Sequence, residues 1–273
     1  MLKLMYITNN ADIAEAAEAS GVDRIFIDLE TLDKKERQKG RNTFISTHSL
    51  EDVAKMRKVI KKAQLLVRVN PINPCSKEEI NSVIENGADL IMLPMFKSRD
   101  EVETFVDIID GRCSNILLLE HAEAVGNLND ILTVPGIEEF HIGLNDLHIS
   151  MHRKFMFELL ADGTTDRIVN KIKEKGYPVG IGGMSKLGTG ELPAELILAE
   201  HYRLKSNGVI LSRGFTEGMD VSSNANISNY FKENVAKIRE GELTIADKEK
   251  EFFDESHQKL VKKVKEIVKG LGN

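Results

Sequence analysis

Residues 64–95, QLLVRVNPINPCSKEEINSVIENGADLIMLPM, contain a complete strand, helix and strand pattern. The apolar runs at 64–69 and 89–95 have the length and composition of buried strands. Between them, SKEEINSVIENG shows helical spacing of its apolar residues and ends at Gly87. This order predicts two parallel strands joined by a helix, because parallel neighbours need a long crossover connection.

The same alternation extends over the whole chain. Candidate strands lie at 2–7, 23–29, 64–69, 89–95, 115–119, 138–143, 178–182 and 208–212. Helices are expected after Ser49, which begins a capping pattern, and at 76–87, 99–110, 154–175 and 192–205. Eight strands in 273 residues predict a (β/α)8 TIM barrel, a fold of about 250 residues. An open doubly wound sheet shows the same alternation, but NNADIAE follows the first strand in place of a glycine-rich dinucleotide fingerprint.

We predict that the barrel covers residues 1–243 and that a C-terminal helical tail covers 244–273. The apolar residues of the tail follow helical spacing and need a partner surface. They are Phe253, Leu260, Val264, Ile267 and Leu271. Their partner is either the chain's own barrel or a second subunit. GIGGMSKLGTG at 180–190 is interpreted as a mobile barrel loop, because it lacks the complete pattern of a phosphate-binding loop.

The charge balance narrows the choice of partners. A net charge of -6 gives no general attraction to nucleic acid or to an anionic membrane, so we expect neither. The start MLKLMYITNN becomes polar too early for a signal peptide or a membrane span, which favours a cytoplasmic protein. Cys75 and Cys113 are expected to be reduced thiols, since two cysteines do not form a disulfide framework.

Polar residues follow several of the predicted strands. In a (β/α)8 barrel the active site lies at the carboxyl ends of the strands, so these residues are candidates for catalysis and binding. They are Asp28, Glu30, Arg68, Asn70, Glu120, His121, Asn145 and Asp146. Several acids that converge on one barrel mouth require a compensating cation.

Glu120 and Asp146 are candidate ligands of a divalent metal. Carboxylate oxygens suit Mg²⁺ or Mn²⁺, and Mg²⁺ commonly takes one or two of them together with water and substrate. The ends of the adjacent fifth and sixth strands lie side by side, so the two carboxylates can converge. Arg68 offers a rigid cationic fork, either for a substrate carboxylate or enolate oxygen or for an ion pair with Asp28 or Glu30.

Five motifs follow one another between Asp28 and Leu147. They are DLE at 28–30, LLVRVNP at 65–71, IMLPMF at 91–96, LLLE at 117–120 and VPGIEEFHIGLNDL at 134–147, with weaker support from GVILSRGF at 208–215. This ordered set resembles the HpcH/HpaI aldolase and citrate lyase β-subunit superfamily. The resemblance implies a metal-dependent lyase of pyruvate-type substrates, with Mg²⁺ as the first choice of metal and Mn²⁺ or Co²⁺ as alternatives.

The resemblance also implies roles for individual residues. Glu120 and Asp146 match the metal acids, and Arg68 matches the substrate arginine. The segment from Gly143 to Asp146 would place backbone amides near the substrate carboxylate. The substrate-binding residues are then Arg68, Gly143, Leu144, Asn145 and Asp146, with Asp28 and Glu30 in support. Exchange of the tail between subunits of a homo-oligomer is also favoured by the resemblance.

Two positions depart from the family pattern. Aldolase members usually carry a histidine directly after the acid of the second strand, and citrate-lyase-like members a second acid, whereas Glu30 is followed here by Thr31. The catalytic base is therefore not assigned by the motif, and His48 in the following loop is a candidate for it. Leu144 stands where proline is commoner, which changes the wall of the binding site.

Other chemistries remain open at this point. His148 and His152 have the i, i+4 spacing of a zinc pair on a helix. His121 adjoins Glu120 but is expected to point away from it, because neighbouring residues of a strand face opposite sides. Lys97 is the nearest candidate for a Schiff-base lysine.

The sequence therefore predicts a metal-dependent carbon–carbon lyase or aldolase. It would act through a pyruvate-type enolate on a 2-oxo acid, with an aldehyde or an acyl-thioester as the other reactant. A citrate-lyase-like acyl-CoA lyase and a catalytically weakened binding or regulatory barrel are the alternatives.

Overall fold

The computed structural model describes residues 1–32 and 47–271. Its strands are β1 Lys3–Ile7, β2 Arg24–Asp28, β3 Gln64–Arg68, β4 Leu90–Leu93, β5 Ser114–Leu119, β6 Glu139–Ile142, β7 Val179–Ile181, β8 Gly183–Met184 and β9 Gly208–Leu211. Within the described ranges these nine strands form one parallel sheet in the order β7-β6-β5-β4-β3-β2-β1-β9-β8. Gly182 alone separates β7 from β8, so the sheet has eight strand positions.

Backbone hydrogen bonds close the ring between its two ends. Asn207 N–H donates to the Val179 carbonyl at 2.9 Å, and Ser212 N–H donates to the Met184 carbonyl at 2.9 Å. Each predicted strand is present, with differences of a few residues at its ends. The (β/α)8 TIM barrel predicted from the alternation is therefore confirmed.

Helices alternate with the strands and cover the outside of the barrel. They are α1 Ala11–Ala19, α2 Leu50–Val59, α3 Ser76–Glu85, α4 Arg99–Ile109, α5 Ala122–Gly126, α6 Leu128–Ile131, α7 Leu144–Ser150, α8 Glu158–Ala161, α9 Thr164–Glu174, α10 Ala194–Arg203, α11 Asn224–Ala246 and α12 Lys250–Gly270, with a 3-10 turn at Arg213–Phe215. The predicted cap of α2 is present, since Ser49 N–H donates to the Asp52 carboxylate at 2.9 Å. Gly87, with φ +91°, follows the end of α3 as predicted.

Two predictions of local structure are wrong. The single helix expected at 154–175 is divided into α8 and α9, because Gly163 adopts a left-handed φ of 75° that a helix interior does not accommodate. Asp162 then accepts a hydrogen bond from Thr164 N–H at 2.9 Å and helps to start α9. The segment 180–184 belongs to β7 and β8 rather than to a loop.

Apolar side chains fill the barrel in two layers. Inside the ring lies a cluster of Met5, Phe26, Leu66, Leu90, Met92, Ile116 and Leu118. A larger cluster occupies the space between the strands and the surrounding helices. Polar side chains at the carboxyl ends of the strands therefore stand on a tightly packed base.

The C-terminal helices complete the structure. α12 packs against α10 and α8 of the same chain, and Leu260, Val264 and Ile267 of its predicted apolar stripe are buried there. Phe253 is half-buried, and Leu271 is exposed. Most of the stripe is thus covered by the chain's own barrel, while exchange of the tail between subunits stays a prediction. Among the described residues, no helix combines the length and the apolar character needed to cross a membrane.

Candidate active site

A cavity of about 380 Å³ opens at the carboxyl ends of the strands. Its lining includes every residue predicted to bind substrate or metal: Arg68, Glu120, Gly143, Leu144, Asn145 and Asp146. Arg68 ends β3, Glu120 follows β5, and the other four lie directly after β6. The barrel thus brings together residues that lie up to 78 positions apart in the sequence (146 − 68 = 78).

Arg68 is held by the carboxylates that follow β2. Its Nε and Nη2 atoms each donate to Asp28 at 2.8 Å, and Nη2 lies 3.4 Å from a Glu30 carboxylate oxygen. Arg68 therefore forms the predicted ion pair with Asp28 and also lines the cavity. Across the described part of the chain, no hydrogen bond occupies Nη1 of Arg68, so this nitrogen can bind a ligand oxygen.

The charge around Arg68 is strongly negative. Burial disfavours a charged guanidinium, but the carboxylates of Asp28, Glu30 and Glu120 outweigh it and raise the pKa of Arg68 further. The arginine is thus permanently charged. Three acids near one arginine leave an excess of negative charge, which a bound cation would compensate.

The Glu120 side chain packs directly against Gly143, which directly follows the adjacent strand β6. A Cβ atom on Gly143 would come within 2.7 Å of the Glu120 Oε2 atom and 2.8 Å of its Cβ atom. The Oε1 atom accepts a hydrogen bond from the Met95 N–H at 3.3 Å. Glu120 is only 3% exposed, so its carboxylate is fixed in the wall of the cavity.

The donor set in this cavity fits a hard divalent cation. Glu120 and Asp146 line the same space, and carboxylate oxygens are the ligands that Mg²⁺ and Mn²⁺ prefer. Within residues 1–32 and 47–271, no group of three or more His, Cys, Asp or Glu side chains is arranged to hold a metal. An ion here would therefore take two protein carboxylates and complete its coordination with water and substrate.

His141 also lines the cavity, although it was not among the predicted site residues. Its Nε2 atom lies 3.0 Å from the Gly182 carbonyl oxygen, and burial lowers its pKa to about 4. The ring is therefore neutral near pH 7. Gly180 leaves the space that the ring fills, because a Cβ atom there would collide with Nδ1.

The two other catalytic candidates lie outside the cavity. His48 accepts a hydrogen bond from the Asp28 N–H at its Nδ1 atom, at 3.1 Å, and lies in a separate surface depression beside Leu29 and Glu79. His48 thus lies beside the end of β2 but does not line the cavity that holds Arg68, Glu120 and Asp146, and its role as a base stays a prediction. Lys97 is absent from the cavity lining, and its backbone N–H donates to the Glu101 carboxylate at 2.6 Å.

His121, His148 and His152 do not line the cavity. α7 ends at Ser150, and His152 has a left-handed φ of 56°, so the helical spacing needed for a zinc pair with His148 does not exist. The Nδ1 atom of His148 lies 3.3 Å from the Leu144 carbonyl oxygen. His121 caps α5, with Nδ1 accepting from the Glu123 N–H at 3.2 Å.

Several further lining residues were not predicted. They include Phe155, Met156, Phe157, Ser185, Glu191, Leu192, Ile197, Ser212 and Arg213. Ser212 and Arg213 follow the last strand and could have been found from the same rule of strand ends. Phe155 to Phe157 lie in an irregular segment, for which sequence periodicity gives no direction.

Comparison with known proteins identifies a family and a shared fold. The family model for HpcH/HpaI aldolase/citrate lyase matches residues 3–209. No match was found among curated protein sequences. Similar solved structures include an HpcH/HpaI aldolase/citrate lyase family protein from Burkholderia cenocepacia J2315 (TM-score 0.62, 17% identity), covering 88% of this chain and 93% of that one.

Two other structures show the same fold. An HpcH/HpaI aldolase from Desulfitobacterium hafniense DCB-2 has a TM-score of 0.59 and 14% identity, over 88% of this chain and 93% of that one. The citrate synthase SbnG has a TM-score of 0.59 and 17% identity, over 87% and 92% of the two chains. At these identities the likeness concerns the fold, and activity has to be argued from the site.

Proposed function

Because the chain belongs to the HpcH/HpaI aldolase/citrate lyase family, we propose that it is a metal-dependent carbon–carbon lyase acting on a 2-oxo acid through a pyruvate-type enolate. Membership of the family supports a lyase or aldolase activity in general. The observation that carries the finer proposal is the shared cavity of Glu120, Asp146 and Arg68.

Each of these residues has a chemical task in the proposed reaction. Glu120 and Asp146 would hold a divalent ion, Mg²⁺ in the first place, which when bound supplies Lewis-acid polarisation of the 2-oxo group. Asp28 holds the guanidinium of Arg68 through Nε and Nη2, and Nη1 would donate to the oxygen on which negative charge develops. Backbone N–H groups between Gly143 and Asp146 would bind the substrate carboxylate.

The proton that leaves C3 of the substrate needs an acceptor. Of the histidines that the structure describes, His141 lines the cavity, but its Nδ1 atom is buried and its Nε2 atom faces the Gly182 carbonyl. We therefore propose that a water molecule in the cavity, rather than a histidine side chain, accepts this proton.

Exchange of the pyruvate methyl protons in deuterium oxide tests this function without knowledge of the second reactant. We expect proton NMR to show loss of the methyl signal with Mg²⁺, Mn²⁺ or Co²⁺ and no loss with a chelator. Pyruvate binding without exchange under any of these metals would favour a binding or regulatory barrel instead. If the methyl protons exchange but the enzyme then turns over only acyl-CoA substrates and no aldehyde, the citrate-lyase-like alternative would be favoured.

A further inference from the structure

The cavity has two walls of different chemistry. Arg68, Glu120 and Asp146 form the polar wall described above. We call the large apolar residues of the lining the apolar wall: Leu144, Phe155, Met156, Phe157, Leu192 and Ile197. The lining also contains the polar side chains of Ser185, Glu191, Ser212 and Arg213. A volume of about 380 Å³ lies in the range of pockets that hold molecules much larger than pyruvate, roughly 300–1,000 Å³. Space therefore remains for a second reactant against the apolar wall.

The apolar wall is fixed before any ligand binds. The Glu158 carboxylate accepts hydrogen bonds from the N–H groups of Lys154 and Phe155, both at 2.8 Å. Phe155 and Phe157 then pack edge to face, with ring centroids 5.3 Å apart. An aromatic pair held by its own backbone binds a ligand with little loss of side-chain freedom.

The aliphatic members of the apolar wall are also tightly packed. Leu144 and Leu192 are each 2% exposed, and Ile197 is 5% exposed. Arg153, next to the aromatic segment, is paired with Asp162 at 2.7 Å and does not line the cavity. Arg213 also lines the cavity but is exposed, and Glu191, next to Leu192, would repel an anion. A carboxylate placed against the apolar side chains would therefore lose its hydration without compensation unless it reached Arg213.

We propose that the apolar wall binds the hydrocarbon chain of an aldehyde, so that the substrates are 4-hydroxy-2-oxo acids with an uncharged aliphatic or aromatic tail. This inference rests on the proposed lyase function. In the synthetic direction pyruvate C3 loses a proton and bonds to the aldehyde carbon, and the aldehyde oxygen takes up a proton. Cleavage is the reverse, and neither direction involves oxidation or reduction.

A series of aldehydes tests the chain preference directly. With the full-length protein, Mn²⁺ and pyruvate, we expect kcat/KM to rise about fourfold per methylene from acetaldehyde to butanal and hexanal, equivalent to about 0.8 kcal/mol per buried CH2 group. Succinic semialdehyde, which has the length of butanal and a terminal carboxylate, should react more slowly than butanal. A flat series, or a preference for succinic semialdehyde through Arg213 on the rim, would overturn the inference.

Variants connect the preference to the wall. Phe155→Ser should lower the ratio of kcat/KM for hexanal to that for acetaldehyde about tenfold, because it removes the aromatic surface that the longer chain covers. Phe252→Ser is the matched control, since Phe252 lies on α12 and is 37% exposed. The same ratio in Phe155→Ser and wild type would place the chain elsewhere.

A binding measurement separates failure of this inference from failure of the proposed function. Calorimetry should show 2-oxooctanoate binding more tightly than pyruvate to wild type, and Phe155→Ser should remove most of the difference. This result decides the apolar subsite even if no methyl exchange occurs, in which case only the lyase function fails. Equal affinities for the two acids, together with normal methyl exchange, would leave the lyase function intact and refute the subsite.

Discussion

The two ends of the barrel each contain an arginine that donates two hydrogen bonds to one carboxylate. At the amino end, Arg24 at the start of β2 donates to Glu139 at the start of β6, with both distances 2.8 Å. At the carboxyl end, Arg68 donates to Asp28 with the same two distances. Arg24 donates through Nη1 and Nη2, whereas Arg68 donates through Nε and Nη2 and keeps Nη1 for a ligand. Two arginine–carboxylate pairs with equal distances therefore occur in very different surroundings.

The surroundings of the two arginines differ in the number of acids and in the open space beside the pair. Arg24 is 1% exposed and also donates to Gln64 and contacts Met5. It pairs with one buried acid, Glu139, and the exposed Lys3 ammonium lies 3.8 Å from the same carboxylate, so the negative charge there is fully compensated. Around Arg68 there are carboxylates from Asp28, Glu30 and Glu120, and a cavity of about 380 Å³ adjoins it. We infer that the amino-end pair serves stability and that the carboxyl-end cluster serves binding and chemistry.

Arg68→Lys should have the largest effect on activity and little effect on stability. A lysine ammonium keeps the positive charge but cannot donate to Asp28 at two points and to a ligand at a third. We expect kcat/KM for methyl exchange to fall about 10³-fold with an unchanged circular dichroism spectrum. Turnover close to that of wild type would show that Arg68 does not contact the reacting oxygen.

Glu139→Gln should produce the opposite result. It leaves Arg24 buried without its carboxylate, and breaking such a pair costs about 3–5 kcal/mol of unfolding free energy. Urea denaturation measures this loss, while the exchange rate per folded molecule should stay at the wild-type value. A stable variant with reduced activity would remove the distinction between the two ends.

Gly143→Ala is a smaller change directed at Glu120. Gly143 has a negative φ of −82°, which is not reserved for glycine. The new methyl group would come closest to the Glu120 side chain, at 2.7 Å from Oε2 and 2.8 Å from Cβ, and would lie 3.2 Å from Leu118 Cδ1. We expect methyl exchange to fall about 10²-fold, because a displacement near 1 Å has this effect on a reacting group. Gly126→Ala, at a position with no atom within 4 Å of the added Cβ, is the control and should be as active as wild type.

The pH dependence of stability gives the smallest expected effect. Burial raises the pKa of Glu139, but hydrogen bonds from Arg24 and its charge outweigh this and lower the pKa below 4.5. The pair therefore stabilises the fold above pH 4.5, and this contribution is lost as pH falls through the lowered pKa. The difference in unfolding free energy between wild type and Glu139→Gln should shrink below that pH. A difference that grows on acidification would contradict the assignment.

Two rules account for the features that could be predicted from the sequence: the periodicity of apolar residues, and the location of barrel active sites at the carboxyl ends of the strands. The strands, the cap at Ser49 and the meeting of Arg68 with Glu120 and Asp146 follow from short-range patterns combined with the closure of one barrel. The pair of Arg24 with Glu139 could not be predicted, because it spans the barrel between opposite strands and depends on register. Phe155 was missed because hydrogen bonds to Glu158, rather than helical or strand periodicity, direct its segment.

His48 and the zinc pair show a second kind of limit. The sequence does not show in which direction a loop histidine points. The Nδ1 atom of His48 accepts a hydrogen bond from a backbone N–H, and no sequence pattern indicates this contact. His148 and His152 have helical spacing, but the helix ends between them at Ser150. Helix ends set by left-handed residues such as His152 (φ 56°) are not visible in the spacing alone.

The central claim is that the acids at the carboxyl end form one divalent-metal site. Titration of Mn²⁺ by electron paramagnetic resonance, on wild type and on Glu120→Gln and Asp146→Asn, tests it most directly, because each variant removes one negative ligand and keeps the side-chain shape. We expect a single site in wild type and a dissociation constant raised about tenfold or more in each variant. Wild-type affinity in both variants would contradict it.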